Sequence, residues 1–174
     1  MRDRFHKLAQ AYRDRVYTYA LYSLRRREDA EDVTQDVLIK LWEHADSLQE
    51  ARVGAWVMRV ARNAVIDAHR RRRTRSEILA ETVDAEEAAR TVAGGGATDG
   101  RARAREAREA IEAALERLAE PYRSIIVMRE IQEMSYGEIA ESMEMPLNTI
   151  KVYLHRGRAM LRAELQERFE TDAA

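Results

Sequence analysis

Cysteine is absent from this chain, and proline, glycine and phenylalanine are scarce. The 174 residues include no cysteine, two prolines, seven glycines and two phenylalanines. Without cysteine the chain can form neither a disulfide nor a thiolate metal site, and it has no cysteine nucleophile. No apolar run approaches the length of a membrane span, and the N-terminal residues lack the apolar segment of a signal peptide. These absences predict a soluble, cytoplasmic protein with no membrane insertion.

The net charge is only −1, but charge is strongly segregated along the chain. Residues 28–50 contain eight acidic residues and one lysine, whereas residues 51–75 contain eight arginines and one aspartate. Residues 151–162 contain four basic residues and no acidic one. The acidic stretch is suited to a basic protein surface, and the two basic stretches are suited to phosphates.

Apolar residues recur at three- and four-residue spacing over most of the chain, which predicts an all-α protein. Three such faces come early in the sequence, from Phe5 to Tyr19, from Ala30 to Ala45 and from Trp56 to Ala68. We expect these three helices to pack into one small bundle that ends near Arg73. The sequence has neither the alternating pattern of strands nor an internal repeat.

A stretch of different composition divides the chain. Residues 76–104 begin with an acidic run and continue through Gly94-Gly95-Gly96, and glycine runs lose too much entropy on ordering to sit inside a helix. We therefore predict two small helical domains, residues 1–75 and 105–174, joined by a flexible linker. The alternative is a long surface loop within one domain, which is disfavoured because structureless loops of this length are uncommon.

The second domain contains the pattern of a helix-turn-helix. Ser135 and Glu138 form the motif S-x-x-E, typical of a helix N-terminus, and Pro146 ends that short helix and fits the first turn of the next. The next helix is basic on its exposed side, which is typical of a helix that enters the major groove of DNA. Periodicity alone leaves open an ordinary helical hairpin with a solvated basic face.

The exposed side of that basic helix carries candidate DNA contacts. Arg156 has a planar fork suited to a guanine edge, whereas Lys151 and Arg158 are suited to phosphates. The other candidates on this side are Thr149, Val152, Tyr153 and His155.

The third N-terminal helix carries a second set of candidate contacts opposite its apolar side. Asn63 can hydrogen-bond to a base edge, and arginines continue without a break from Arg70 to Arg73. A solvated helix end is the alternative, since arginines there favour the helix dipole. Asp67 is expected to pair with a neighbouring arginine, and Trp56 is expected in the core.

The second helix has an acidic side formed by Asp29, Asp32, Asp36 and Glu43. Clustered carboxylates can bind a hard cation, but helical spacing without a converging loop argues against a metal site. A solvated face and a docking face for a basic partner both remain open. We expect neither a metal nor a cofactor.

Three segments taken together resemble the extracytoplasmic-function (ECF) subgroup of the sigma-70 superfamily of RNA polymerase sigma factors. EDAEDVTQDVLIKLWEHADSL is similar to the segment that binds the polymerase clamp helices, and AWVMRVARNAVIDAHRRRR is similar to the helix that melts and reads the minus-ten promoter element. Residues 114–165 resemble region four, which reads the minus-thirty-five element. Their order and spacing, with a linker between, also match the family.

The resemblance implies a role in transcription initiation for three groups of residues. Core polymerase would be contacted by Asp32, Gln35, Asp36 and Ile39. The minus-ten element would be contacted by Ser47, Arg59, Arg62, Asn63, Asp67, Arg70 and Arg71. The minus-thirty-five element would be contacted by Thr149, Lys151, Val152, Tyr153, His155, Arg156 and Arg158.

The resemblance also implies the partners, namely core RNA polymerase (clamp helices and flap), promoter DNA and an anti-sigma factor. The family commonly has glycine where Asn148 stands and serine-arginine where Val152 and Tyr153 stand, so the promoter sequence cannot be copied from a relative. A free-standing regulator that used only the helix-turn-helix would leave the acidic second helix unexplained. An enzyme is disfavoured because the four histidines lie in four different segments, without partners at a recognisable spacing.

Overall fold

Seven α-helices make up the described part of the chain in the computed structural model, which describes the backbone of residues 2–82 and 99–172 and the side chains of residues 2–77 and 102–167. Their bounds are α1 Arg2–Leu24, α2 Arg27–His44, α3 Val53–Thr82, α4 Asp99–Arg117, α5 Tyr122–Ile126, α6 Tyr136–Met143 and α7 Leu147–Asp172. A 3-10 turn at Glu50–Arg52 leads into α3, and a π-helical turn at Val127–Ile131 follows α5. The described ranges contain no strand, and the predicted all-α class is confirmed.

The first three helices pack on one another as a small bundle. Each contributes residues at helical spacing that are shielded from solvent, such as Val16 of α1, Val37 of α2 and Val57 of α3. This is the arrangement that the apolar periodicity predicts, because residues three and four apart lie on one side of a helix. Trp56 is half-buried and packs against the same core, in agreement with the prediction.

Helix α3 does not end near Arg73 as expected. It continues to Thr82, and Arg73 Nε donates to Glu77 Oε1 at 2.7 Å, a pair four residues apart that supports a further turn. The arginine run therefore lies inside the helix. Helix α4 begins at Asp99, within the predicted linker, and the central part of that linker at residues 83–98 lies outside the described residues.

The helix-turn-helix consists of α6 and α7, as the motif predicts. Ser135 Oγ accepts from the Glu138 amide at 3.2 Å, and the Ser135 amide donates to Glu138 Oε2 at 2.7 Å. The two backbone amides at the start of α6 therefore both have hydrogen-bond partners. Glu144 ends α6 in the left-handed conformation, and α7 begins directly after Pro146. Ile139 of α6 and Ile150 of α7 are fully buried between the helices.

The two predicted domains pack against each other in this structure. Helix α6 lies on α3, whereas α4 and the π-helical turn lie on α1. Buried residues of both domains, from Val16 to Leu154, belong to one continuous apolar cluster. Residues that are far apart in the sequence therefore share one buried core.

Candidate nucleic-acid and protein interfaces

Four side chains of α2 form an exposed surface, here named the acidic face of α2 (Asp32, Gln35, Asp36 and Ile39). They lie opposite the residues that α2 buries in the bundle. No ion pair within the described residues engages Asp32 or Asp36, and Ile39 is 57% exposed. Carboxylates beside an exposed isoleucine are suited to a basic protein surface that also offers an apolar patch.

Sequence reasoning missed Trp42, which lies one turn beyond Ile39. Its side chain is 40% exposed, and its ring meets Phe5 edge to face at a centroid distance of 5.0 Å. A signal was available, because Ile39 and Trp42 are the large apolar residues of α2 that fall outside its buried stripe. Tryptophan is enriched at protein interfaces, so we add Trp42 to this candidate surface, which then reaches towards α1.

Most minus-ten candidates are exposed on α3. Asn63, Arg70 and Arg71 face solvent, and Arg70 Nη1 lies 3.5 Å from Asp67 Oδ1, which confirms the predicted pairing of Asp67. Ser47 is exposed in the turn after α2, where its hydroxyl donates to the His44 carbonyl at 2.9 Å. These side chains are available to a nucleic acid in the present conformation.

Two minus-ten candidates are instead partly buried, and one of them contacts the C-terminal domain. Arg59 forms an ion pair with Glu144 at the end of α6 and retains 34% of its side-chain exposure. Arg62 is half-buried, and its Nε atom is buried without a hydrogen-bond partner. The minus-ten candidates therefore divide into residues that are exposed and two arginines that are partly buried.

The minus-thirty-five candidates on α7 differ in how they are held. Lys151, Val152, His155 and Arg156 are exposed, whereas Thr149 and Tyr153 are half-buried. The Tyr153 ring packs on Tyr122 of α5 at a centroid distance of 5.2 Å. Arg158 is engaged by Glu130 of the π-helical turn, with Nη2 at 2.7 Å from Oε1. Lys151 and Arg156 have no ion pair within the part of the chain that the structure describes.

Close packing fixes the position of α7. A Cβ atom at Gly157 would lie 3.0 Å from Ile126 Cγ1 and 3.6 Å from Tyr122 Cβ, so α7 approaches α5 at a distance that only glycine permits without movement. Arg129 of the π-helical turn lies over the Tyr136 ring and donates to the Met134 carbonyl at 2.7 Å. These contacts hold the exposed side of α7 on a rigid support.

Polar groups from both domains are buried where α1 and α3 meet the segment from α4 to α5. Tyr19 Oη donates to Ser124 Oγ at 3.0 Å, and Ser124 Oγ donates to Glu120 Oε2 at 2.5 Å. Burial raises the pKa of Tyr19, which stays protonated and can donate. Ser23 Oγ and Glu120 Oε1 are buried without a hydrogen-bond partner, as is Nε of Arg62.

Arg123 links the two domains at the edge of this polar cluster. Its guanidinium donates to the carbonyls of Leu115, Glu116 and Leu118, which satisfies the C-terminal end of α4. The same group donates through Nη1 to His69 Nε2 on α3. Burial, together with the positive charge of Arg123, lowers the pKa of His69.

The described residues include neither a metal-binding cluster nor a membrane-spanning helix. Within residues 2–77 and 102–167, histidine, aspartate and glutamate side chains do not gather in threes in a way that could hold a metal ion. None of the described helices is both long and apolar enough to cross a bilayer.

Comparison with known proteins identifies both halves of the chain. Residues 8–75 match the model of Sigma-70 region 2, and residues 108–161 match that of Sigma-70, region 4. The ECF RNA polymerase sigma factor SigW of Bacillus subtilis is 29% identical over 169 residues, covering 95% of this chain and 90% of the relative. The corresponding SigL of Mycobacterium tuberculosis is 30% identical over 156 residues, covering 87% and 83%.

A solved structure supports the same fold. The sigma factor RpoE of Bartonella quintana, in complex with the anti-sigma factor NepR, superposes with a TM-score of 0.69 at 24% identity, covering 95% of this chain and 98% of that one. With both sigma-70 regions matched in order and relatives that span nearly its whole length, the chain belongs to the ECF subgroup of the sigma-70 family of RNA polymerase sigma factors.

Proposed function

We propose that this alternative sigma factor binds core RNA polymerase through the acidic face of α2, contacts the minus-ten element with α3 and reads the minus-thirty-five element with α7. It acts as a binding subunit and not as an enzyme, in the cytoplasm where the polymerase works. The observation that carries the proposal is the acidic face of α2, whose carboxylates are exposed and unpaired within the described residues, next to Ile39 and Trp42.

The acidic face of α2 has the composition of a docking surface. Asp32 and Asp36 lie one turn apart and are free to attract a basic partner, and charge complementarity raises the rate of encounter. Ile39 and Trp42 add apolar area that is removed from water on docking. A free-standing regulator that used only α6 and α7 would have no need of this surface.

The DNA contacts divide between the domains. On α3, the side-chain amide of Asn63 can hydrogen-bond to a base, and the exposed side chains of Arg70 and Arg71 can contact the phosphate backbone. On α7, Arg156 and Lys151 point to solvent from a helix whose far side is fixed on α5. Arg158 forms an ion pair with Glu130. It can therefore contact a phosphate directly only after that ion pair breaks, and otherwise adds only to the electrostatic potential around α7.

Assembly with core polymerase tests the proposal. The variant carrying Asp32→Arg and Asp36→Arg should lose co-purification with core polymerase and promoter-specific transcription, with an unchanged circular dichroism spectrum. The control carries Asp14→Arg and Glu106→Arg, which make the same charge change at exposed positions of α1 and α4. Normal assembly of the first variant would contradict the proposed docking surface, and equal loss in both variants would indicate a general effect of charge.

An anti-sigma factor completes the proposed set of partners. The solved sigma factor RpoE, which has this fold, is in complex with the anti-sigma factor NepR, and a second structure of this fold is CnrH in complex with the cytosolic domain of CnrY. We expect the present chain to be regulated in the same general way, since it belongs to the same subgroup. Capture of an anti-sigma protein on the immobilised sigma factor, competed by core polymerase, would test this part of the proposal.

A further inference from the structure

The candidate Ser47 lies in a short irregular segment, here named the α2–α3 turn (residues 45–49). Within it, the amides of Ser47 and Leu48 donate to the His44 carbonyl at 3.0 and 3.2 Å, which ties the start of the turn to the end of α2. Ser47 is exposed, whereas Leu48 is half-buried and packs against the core. The turn therefore has an inner side that is anchored and an outer side that presents Ser47 to solvent.

Two carbonyls of this turn accept hydrogen bonds from a residue of another helix. Arg4 of α1 donates from Nη1 to the Asp46 carbonyl at 3.1 Å, and from Nη2 to the Leu48 carbonyl. These two carbonyls flank Ser47 in the sequence. One half-buried guanidinium thus grips the backbone on both sides of the exposed serine.

The end of α1 that carries Arg4 is itself held in place. The ring of Phe5, the next residue, meets Trp42 of α2 edge to face at a centroid distance of 5.0 Å. Further along α1, Tyr12 packs against the start of α3, where a Cβ atom at Gly54 would lie 3.1 Å from the Tyr12 hydroxyl oxygen. Helix α1 therefore contacts the helices on either side of the turn, and Arg4 donates from a fixed support.

The chemistry of the two hydrogen bonds requires arginine. A guanidinium carries donors on separate nitrogens in a planar fork and can reach two carbonyls at once, whereas the ammonium of lysine is a single compact charge. Hydrogen bonds from a charged donor are also stronger than those between neutral groups. Both Nη atoms of Arg4 are used within the chain, so its observed role is to hold backbone and not to meet a phosphate.

We propose that Arg4 is a positioning residue for minus-ten recognition, which fixes the α2–α3 turn so that Ser47 meets the DNA in one orientation. This proposal rests on the proposed function, because Ser47 is one of the minus-ten candidates. A polar side chain discriminates between bases only if its own geometry is fixed, so a mobile turn would still allow contact but would lose selectivity.

The first measurement is hydrogen exchange on the full-length protein without DNA. In Arg4→Ala the amides of Ser47 and Leu48 should exchange roughly tenfold faster or more, because the hydrogen bonds that hold the turn are lost. Arg4→Lys should restore only part of the protection. The control is Arg13→Ala, which removes the same charge from an exposed position of α1 that no ion pair engages within the described residues. It should match the wild type.

The second measurement is transcription by reconstituted holoenzyme on single-base variants of both promoter elements. Arg4→Ala should reduce the penalty for a wrong minus-ten base by roughly three- to tenfold and leave the penalties at the minus-thirty-five element unchanged. If Arg4 acts through the turn, Ser47→Ala should reduce the same penalties, and the double variant should lose little more than either single one.

Three results would overturn the positioning role of Arg4. They are unchanged exchange in Arg4→Ala, faster exchange with unchanged minus-ten penalties, and an equal loss on all promoter variants with a weaker salt dependence, which would make Arg4 a phosphate contact. Failure of the proposed function would look different. Ser47→Ala would then leave every minus-ten penalty unchanged, while the exchange result would still report whether Arg4 holds the turn.

Discussion

Two glycines of the helix-turn-helix domain lie in opposite environments. At Gly157 an added Cβ would lie 3.0 Å from Ile126 Cγ1, and Ile126 is almost completely buried and cannot move aside freely. At Gly137, in the first turn of α6, the nearest atom to an added Cβ is Ser135 Oγ at 4.0 Å. The same substitution should therefore have opposite effects on stability at the two positions.

Replacement of each glycine by alanine tests this difference. Gly157→Ala should lower the free energy of unfolding by about 1–3 kcal/mol, because overpacking moves α7 from α5. Gly137→Ala should raise it by about 0.4–1 kcal/mol, because alanine lowers the entropy of the unfolded chain at a position with room for a methyl group. Urea denaturation followed by circular dichroism measures both values. A neutral Gly157→Ala would mean that α7 is not held closely on α5.

Some features of the helices could be predicted from the sequence, and others could not. The apolar periodicity of α1 to α3 and the motif from Ser135 to Glu138 depend on residues within four positions of one another, and both were predictable. The end of α3 was not, because the arginine run was interpreted as a helix end and the pair of Arg73 with Glu77 carries the helix past it. Trp42 lies outside the buried stripe of α2, so apolar periodicity did not mark it, although a large apolar residue at an exposed position is itself a signal.

On α7, positioning of the DNA and reading of its sequence should belong to different residues. Arg156 is exposed and has a fork suited to a guanine edge, so Arg156→Ala should lower transcription and reduce the penalty for changing one minus-thirty-five base pair by about 1–3 kcal/mol. Lys151→Ala should weaken all promoter variants about equally, and reduce the salt dependence by about one phosphate contact.

The measurement uses a panel of single-base promoter variants with holoenzyme at two salt concentrations. Arg158→Ala serves as a comparison, because Arg158 is already engaged by Glu130 and should affect the panel less than Arg156. If Arg156→Ala lowered every variant by the same factor, Arg156 would be a backbone contact. The base reader would then have to be sought among Thr149, Val152, Tyr153 and His155.

At the scale of the whole molecule, the sequence contains little information on how the domains meet. Tyr19 and Ser124 hydrogen-bond across 105 residues of sequence, and Arg123 meets His69 across 54. No spacing rule connects residues so far apart, and each of these side chains taken alone resembles an ordinary surface or core residue. The candidate residues of α3 could be named from the sequence, but the ion pair of Arg59 with Glu144 of α6 could not.

The contact between Arg123 and His69 should make the packing of the two domains on each other sensitive to pH. Nε2 of His69 lies within hydrogen-bond distance of Arg123 Nη1 and of the Ser23 carbonyl, and the neutral ring can accept from Arg123 with its proton on Nδ1. Protonation would turn Nε2 into a donor and place a second positive charge against Arg123. Burial and the positive charge of Arg123 lower the pKa of His69 from 6.5, and they outweigh the hydrogen bond to the Ser23 carbonyl and the carboxylates of Glu120 and Glu116, which favour the protonated ring.

Packing of the domains lowers the pKa of His69, so the packed form holds fewer protons than a form with the domains apart. The stabilisation of the packed form by this contact is therefore complete above about pH 6.5 and decreases as the pH falls below that value. Dyes placed at Gln10→Cys on α1 and Gln166→Cys on α7, which are exposed positions in a chain without cysteine, should therefore report a larger separation of the domains at pH 5.5 than at pH 7.5. In the variant His69→Gln, whose amide oxygen can accept from Arg123 at any pH, the domains should stay packed at both values. If His69→Gln opened on acidification as far as the wild type does, another group would have to be responsible for the response.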